Sequence, residues 1–503
     1  MKLYVTTGRE IGKASPMLYG HFLEHFHRQV YGGVFDPDHP LADEDGFRTD
    51  VLEALKKIRP SILRWPGGCF VSSYHWQKGV GKTRPKVFDK AWRVEESNAF
   101  GTDEFIRLCR KLECEPYICT NAGTGSIEEM SDWLEYCNLQ SEGEFAGQRI
   151  ANGFLKPYGV KYWSIGNENY GSWELGAKEA GEWGNLVCEA SKLLKHVDPT
   201  VSLSAAAITD IDWNLNLLRK AGHNLDWISI HQYWDAIHNT NALATYEQAM
   251  AYTQNLGESI VKVRGLLAAL GLQNKIKIAF DEWNLRGWYH PNMHTQKMGV
   301  TSAEYLLPRD KNDINSSYTM ADAVFSACFL NELNRNCDIV GMANFAPAVN
   351  TRGCIYVCPG GIVKRTTYHV FDLYVNHMQD TVVDAYCENM SKAVFKGKDQ
   401  RDVAVDQVDV IATTGGDKST VTISAVNKSA TALAEMEVEV DRVPIKAYRV
   451  HTLAGSSCDS FNDVDHQGAM IHSTGWMEVA SPRPLALIPH SVNIIEVQLQ
   501  KNA

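Results

Sequence analysis

Residues 160–169 read VKYWSIGNEN, residues 176–197 follow with apolar side chains at helical spacing, and residues 201–207 read VSLSAAA. A short apolar run, an amphipathic segment and a second apolar run form a strand–helix–strand unit, whose strands pair in parallel because the helix carries the chain back across the sheet. The first run ends in Asn167, Glu168 and Asn169, polar groups that a buried strand has no packing use for. The same alternation extends both ways from this unit, from about residue 17 to 350: MLYGHFLEH (17–25), SILRWPGG (61–68), EPYICTNAG (115–123), DWISIHQYW (226–234), KIKIAFDEWN (275–284) and VGMANFAP (340–347). Eight such strands predict an α/β fold, a (β/α)8 TIM barrel rather than an open sheet.

Helices are predicted over Ser126–Asn138, Gly176–Val197, Glu247–Leu270 and Tyr318–Cys337. Ser126 and Glu129 have capping-box spacing, and Gly271 stands where a helix end favours a left-handed residue. After about residue 380 the helical period disappears. VDVIATT (408–414), STVTISAVN (419–427), AEMEVEVDRV (434–443), IKAYRVHTL (445–453) and HSVNIIEVQL (490–499) read as strands, with a hairpin turn over 414–419. The expected organisation is a strand in residues 1–16 joining a C-terminal antiparallel β-sandwich of residues 381–503, with the catalytic barrel in residues 17–380.

The charge balance, 49 Lys+Arg against 60 Asp+Glu in 503 residues, leaves −11 with no basic block. Nucleic acid and anionic membrane surfaces are poor partners for such a chain. No apolar run is long enough to span a bilayer, and the first twenty residues lack a secretion leader, so a cytoplasmic protein is expected. The 12 cysteines then read as reduced thiols, and Cys354 with Cys358 lacks the second pair of a zinc ribbon.

In a parallel barrel the loops after the strands converge on one mouth, so chemistry is sought at strand ends. Strand one ends in Glu24 and His25, strand two in Arg64 to Cys69, strand four in Asn167 and Glu168, strand six in His231 and Tyr233, and strand seven in Asp281 and Glu282. Strands four and seven face each other across the axis. Two carboxylates meeting there suit glycoside hydrolysis, in which one group protonates the leaving oxygen and the other attacks or activates water. Structural ion pairs are the alternative reading. Asn167 beside Glu168 can hold a sugar hydroxyl, and Trp283 beside Glu282 can wall a pocket.

With these motifs the chain resembles glycoside hydrolase family 51, the α-L-arabinofuranosidases. YGHFLEHFHRQVYGG, LRWPGGCFVSSYHW, FGTDEF, NAGTGSIEEMSDWLEYCN, GNEN and FDEWN occur in that family's order over nearly the whole chain. The resemblance implies Glu168 as general acid/base, Glu282 as nucleophile, and a retaining mechanism that needs no cofactor. It implies sugar-binding roles for Glu24, Arg64, Cys69, Asn167, His231 and Tyr233, and a homo-oligomer, commonly a hexamer. One departure stands out: after strand eight the family carries Gln in an ANIAQLVN-like stretch, whereas this chain has Pro347 in ANFAPAVNTRG. Proline has no side-chain donor, so Asn350 and Arg352 become the candidates to replace that contact.

Of the aromatics near strand ends (Trp65, Tyr74, Trp76, Trp173, Trp234, Trp283 and Trp288), about half are expected in the core; Trp283 and Trp288 are assigned to the cleft wall. His21, His25 and His27 beside Glu24 raise a metal reading, but no metal is expected at this site. The segment Arg286–Lys311 is long for a barrel loop and reads as a lid or partner contact. The sequence thus predicts exo-acting release of terminal α-L-arabinofuranosyl groups from arabinan- or arabinoxylan-derived oligosaccharides. The alternatives are the same mechanism on a β-xyloside, galactofuranoside or β-glucan, a carbohydrate-binding module, and a metal-dependent barrel isomerase using Glu24, Asp281 and nearby histidines.

Overall fold

The computed structural model describes residues 1–237, 242–288, 313–479 and 484–500. The eight apolar runs become Gly20–Phe22, Ile62–Trp65, Glu115–Thr120, Tyr162–Ile165, Ser202–Ala207, Trp227–Asp235, Lys277–Arg286 and Val340–Phe345. They pair in parallel in chain order, and the eighth closes on the first. Side chains fill the barrel in layers: Ile62, Tyr117, Ala279 and Met342 form a dry one, and buried Arg64, Ser229 and Asp281 belong to the polar interior above it.

The helices follow local signals with two departures. Ser126 caps Ile127–Asn138 by accepting the Glu129 amide at 3.0 Å. The Glu129 carboxylate does not complete a capping box; it lies 2.9 Å from His75 Nδ1 instead. The predicted helix over 247–270 is divided into Tyr246–Ala251, a 3-10 turn at Tyr252–Asn255 and Glu258–Ala269, with Gly257, a poor helix former, at the last break. The other two helices begin later than expected, as Ala180–Val197 and Met320–Arg335.

Most of the C-terminal strands, with Lys392–Lys396 and Asp402–Asp406 paired separately, join one ten-stranded sheet around a core of Leu3, Val5, Val383, Ile423, Met436 and Ile495. The N-terminal strand Lys2–Lys13 lies within it, antiparallel to Thr381–Glu388 but parallel to Ala434–Val440. That one parallel pairing is available because hundreds of residues of connection separate the two strands. Val408–Thr414 and Thr420–Asn427 make the expected hairpin. Polar contacts tie this sheet to the barrel: Tyr374 Oη lies 2.7 Å from Asn331 Oδ1 and 2.8 Å from Ser424 Oγ, and Asn331 donates to Asp409 at 2.7 Å. All 12 cysteines are unpaired. Among the described residues, no helix is long and apolar enough to cross a membrane.

Candidate active site

At the C-terminal mouth of the barrel lies a cavity of about 650 Å³, lined by Glu24, Cys69, Trp92, Asn167, Glu168, Tyr170, Trp173, Glu174, His231, Tyr233, Glu282, Trp288 and Arg352 among others. Its size suits a small sugar ligand.

Glu282 lies in the C-terminal half of the seventh strand, in register with His231 on the sixth. It accepts from Arg64 Nη1 at 3.2 Å and from Tyr233 Oη at 2.5 Å, with His231 Nδ1 at 3.2 Å and Arg352 Nη2 at 3.9 Å. The two hydrogen bonds and the two nearby cationic groups fix the direction of this carboxylate. Across the mouth, Glu168 has a left-handed φ of 46°, uncommon for a residue with a side chain. It accepts from His231 Nδ1 at 2.9 Å and from Trp173 Nε1 at 2.8 Å. Burial pushes the Glu168 pKa up, but the hydrogen bonds from His231 and Trp173 and the charge of Arg64 outweigh it, leaving it below the usual carboxylate range. One oxygen of each glutamate and a ring nitrogen of His231 lie within 4.8 Å of one another.

His231 is surrounded by acids: Nδ1 faces Glu168 and Glu282, and Nε2 lies 3.4 Å from Asp281 Oδ1. Burial alone would strip its proton, yet the charge of Glu282 and the contacts with Asp281 and Glu168 raise its pKa to about 10. Asp281 is itself buried, accepting from Tyr117 Oη at 2.7 Å and Ser229 Oγ at 2.6 Å. Burial would raise its pKa; Arg64 and His231 instead hold it at about 2. Because the folded His231 pKa lies above its unfolded value of about 6.5, the stability it contributes is fully present below that pH and is lost as pH rises through about 10. Denaturant unfolding from pH 6.5 to 10 is therefore expected to show falling stability. In Asp281→Asn, which removes one counter-charge, the fall ends at a lower pH and is smaller in total; an unchanged end point would contradict the role given to Asp281.

Glu24 lies beside the pair. Its Oε1 accepts from the Phe70 amide at 3.1 Å and Trp92 Nε1 at 2.9 Å. Burial and the charge of Glu282 raise its pKa to about 8, so at neutral pH it is largely protonated and able to donate to a hydroxyl. Gly67, with φ 139°, lets the turn after strand two pass over Glu24; a Cβ there would lie 2.2 Å from Glu24 Cγ. Asn167 is oriented from both ends, accepting from Arg64 Nη2 at 2.8 Å and donating to Glu174 at 3.1 Å. Cys69 faces the cleft, but burial and the nearby charges of Glu174, Glu168 and Glu24 raise its thiol pKa well above normal, so it is no nucleophile.

Several sequence assignments need correction. Trp283 is fully buried and packs outside the barrel wall on Phe329 and Phe345, with centroids at 4.8 and 5.1 Å, so it does not line the cleft. Its neighbours Asp281 and Glu282 both face His231 and Arg64, because a register shift between Ala279 and Glu282 interrupts the strand's alternation. Asn350 is 1% exposed and is used in the backbone, donating to Arg28 O at 2.6 Å and accepting from Val357 N at 2.7 Å. Arg352 is the residue that reaches the cavity, donating to Tyr233 Oη at 2.8 Å, while its buried Nε has no protein acceptor. Arg64 lies beneath the cleft, fully buried, with its guanidinium bonded to Glu282 and Asn167.

Trp288 and Trp173 line the cavity, whereas Trp65, Tyr74 and Trp76 are core and Trp234 packs on Phe325 and Phe329. The three histidines near Glu24 diverge: His21 packs against Phe371, His25 binds Glu96 at 3.1 Å, and His27 accepts from Trp288 at 3.2 Å. They assemble no metal set. Neither do Cys354 and Cys358, whose thiols donate to the carbonyls of Ala348 and Gly361. Apart from Arg286 to Trp288, the predicted Arg286–Lys311 loop lies outside the described residues. Trp92, Tyr170 and Glu174 were missed by the strand-end rule because they sit in loops, where no periodicity marks a residue as facing the mouth.

Two family models match the chain: "Alpha-L-arabinofuranosidase 1 domain" over residues 54–254 and "Alpha-L-arabinofuranosidase C-terminal domain" over 281–488. The "Intracellular exo-alpha-(1->5)-L-arabinofuranosidase 1" of Bacillus subtilis (strain 168) is 31% identical over 99% of both chains. A "Probable alpha-L-arabinofuranosidase C" of Aspergillus clavatus is 34% identical over 90% of both. Among solved structures, the arabinose complex of the Thermotoga maritima α-L-arabinofuranosidase superposes with a TM-score of 0.87 at 34% identity, covering 99% of this chain and 100% of that one. A bifunctional glucanase-xylanase superposes with a TM-score of 0.63 at 12% identity, which speaks for the fold alone.

Proposed function

Since the chain belongs to glycoside hydrolase family 51, the α-L-arabinofuranosidases, we propose that it releases terminal α-L-arabinofuranosyl residues from arabinan- and arabinoxylan-derived oligosaccharides by double displacement. The observation that carries this reading is the close approach, within 4.8 Å, of carboxylate oxygens from the end of strand four and from strand seven. Retention calls for carboxyl groups about 5–5.5 Å apart, whereas inversion needs about 6.5–9.5 Å to admit a water. Glu282, directed by Arg64 and Tyr233, attacks the anomeric carbon as Glu168 protonates the leaving oxygen. The proton is close at hand: His231 lies 2.9 Å from Glu168 and exchanges with it. Glu168 then takes a proton from water, which hydrolyses the glycosyl ester and restores Glu282.

Glu24, Asn167 and Arg352 hold the sugar hydroxyls. Arg352 supplies the donor that Pro347 cannot. Arg352→Ala is expected to lower kcat/KM on an aryl α-L-arabinofuranoside by roughly 10- to 100-fold, the value of a charge-assisted hydrogen bond. Arg352→Gln should recover part of that loss, and a change under about twofold would remove Arg352 from sugar recognition. A panel of aryl glycosides tests the glycone itself. The α-L-arabinofuranoside is expected to be cleaved fastest, and preference for a β-xyloside or galactofuranoside would overturn the assignment. A cytoplasmic location is supported by the unpaired cysteines and by the Bacillus relative, which is named as intracellular.

A further inference from the structure

A second group of potential metal ligands stands away from the cleft, where the last barrel helix meets the sandwich. Helix Thr366–His377 ends at His377, over the antiparallel strands Ile445–Gly455 and Ser491–Leu499. Arg449 pairs with Glu496 in register, so His451, two residues on, shares a sheet face with both. His377 Nδ1 lies 2.8 Å from Glu496 Oε1, and His451 Nε2 lies 3.9 Å from the same oxygen. The two imidazoles stack with centroids 4.0 Å apart. His451 and Glu496 are each 7% exposed.

The buried His451 Nε2 has no hydrogen-bond partner. Its other nitrogen lies 2.7 Å from Ser473 Oγ. With Nδ1–H donated to that hydroxyl, Nε2 presents a bare lone pair toward a carboxylate oxygen, and two acceptors face each other with no proton between them. With the opposite tautomer, Nε2–H is a buried donor without an acceptor. Either way the protein alone leaves the group unsatisfied, which buried polar groups rarely are. Arg449 occupies the other oxygen of Glu496 and lies over the Trp476 ring, leaving Oε1 turned toward the histidines.

We propose that His377, His451 and Glu496 form a zinc-type divalent metal site joining the last barrel helix to the sandwich sheet. Two imidazoles and a carboxylate suit Zn²⁺ or Co²⁺, whereas Mg²⁺ and Ca²⁺ favour all-oxygen sets. Ser473 serves as the outer partner that fixes one ligand ring. Bridging two parts of the fold, the ion stabilises the native state without entering the reaction.

The test uses the full-length, tag-free chain stripped with EDTA and titrated with Zn²⁺ by calorimetry and with Co²⁺ by visible absorption. One equivalent of Zn²⁺, a Co²⁺ ligand-field band, a Tm increase of roughly 2 °C and no response to Mg²⁺ are expected. His451→Gln and Glu496→Gln should each weaken binding by at least about tenfold while keeping glycosidase activity and the far-UV CD spectrum. The partly exposed His377→Gln provides the same test if either buried variant fails to fold. Absence of binding would overturn the proposal, as would an equivalent that survives these substitutions but is lost in Glu168→Gln, because the ion would then sit in the cleft among Glu168, His231 and Glu282.

Discussion

Glu282→Ala is expected to lower kcat on an aryl α-L-arabinofuranoside by roughly 10⁴- to 10⁶-fold, the range seen when a covalent nucleophile is removed. The fold should survive, because Arg64 keeps Asn167 at 2.8 Å and Asp281 at 3.7 Å as partners, so its buried charge is not stranded. KM should change much less than kcat, since Glu24, Asn167 and Arg352 still face the glycone. The deleted side chain leaves space beside the anomeric carbon. Azide entering there should restore part of the activity and give the β-arabinofuranosyl azide, inverted because only one displacement has occurred. Full activity in Glu282→Ala would remove it from the nucleophile role.

Glu168→Ala should behave differently, although the two carboxylates lie close together. Here the loss depends on the leaving group. An unactivated oligosaccharide needs its departing oxygen protonated, so its turnover should fall by roughly 10²- to 10⁴-fold, the usual contribution of general acid–base catalysis. A dinitrophenyl arabinofuranoside leaves unaided and forms the glycosyl enzyme readily, but water without a base attacks it slowly. A burst of phenol followed by a slow steady state is expected. Azide needs no base, so it should accelerate the steady state and yield the α-configured azide, retained after two displacements. Equal losses on both substrates, or a β-configured azide, would argue against Glu168 as the acid/base. Opposite azide configurations from the two variants separate the two roles independently of the rate losses.

Much of this site was readable as strand ends. The GNEN segment follows strand four and FDEWN lies within strand seven, and the barrel brings Glu168 and Glu282 together from 114 residues apart (282 − 168). His231 and Tyr233, two residues apart on one strand, both reach the mouth. What escaped the sequence depends on which way a side chain points and on loop packing. The strand containing Glu282 has register shifts on either side of it, so position along the run does not reveal that Trp283 turns outward into the helices. Asn350 has a left-handed φ of 55° and uses its amide to stitch distant backbone together. Its sequence neighbour Arg352 enters the cleft instead. Trp92 acts on Glu24 from 68 residues away, and Glu174 acts on Asn167 from within an irregular loop; no periodic pattern carries that information. In the sequence Asp281 stood out as the neighbour of Glu282 and as a candidate ligand in the isomerase alternative; its work beneath His231 emerges from the charges gathered inside the barrel.

Mass mapping of the trapped intermediate tests the double displacement most directly. Glu168→Ala incubated with a dinitrophenyl α-L-arabinofuranoside and quenched in acid should carry one arabinosyl unit, located by peptide fragmentation on Glu282. An arabinosyl adduct on another residue, or rapid turnover through an unmodified enzyme with inverted product, would contradict the mechanism.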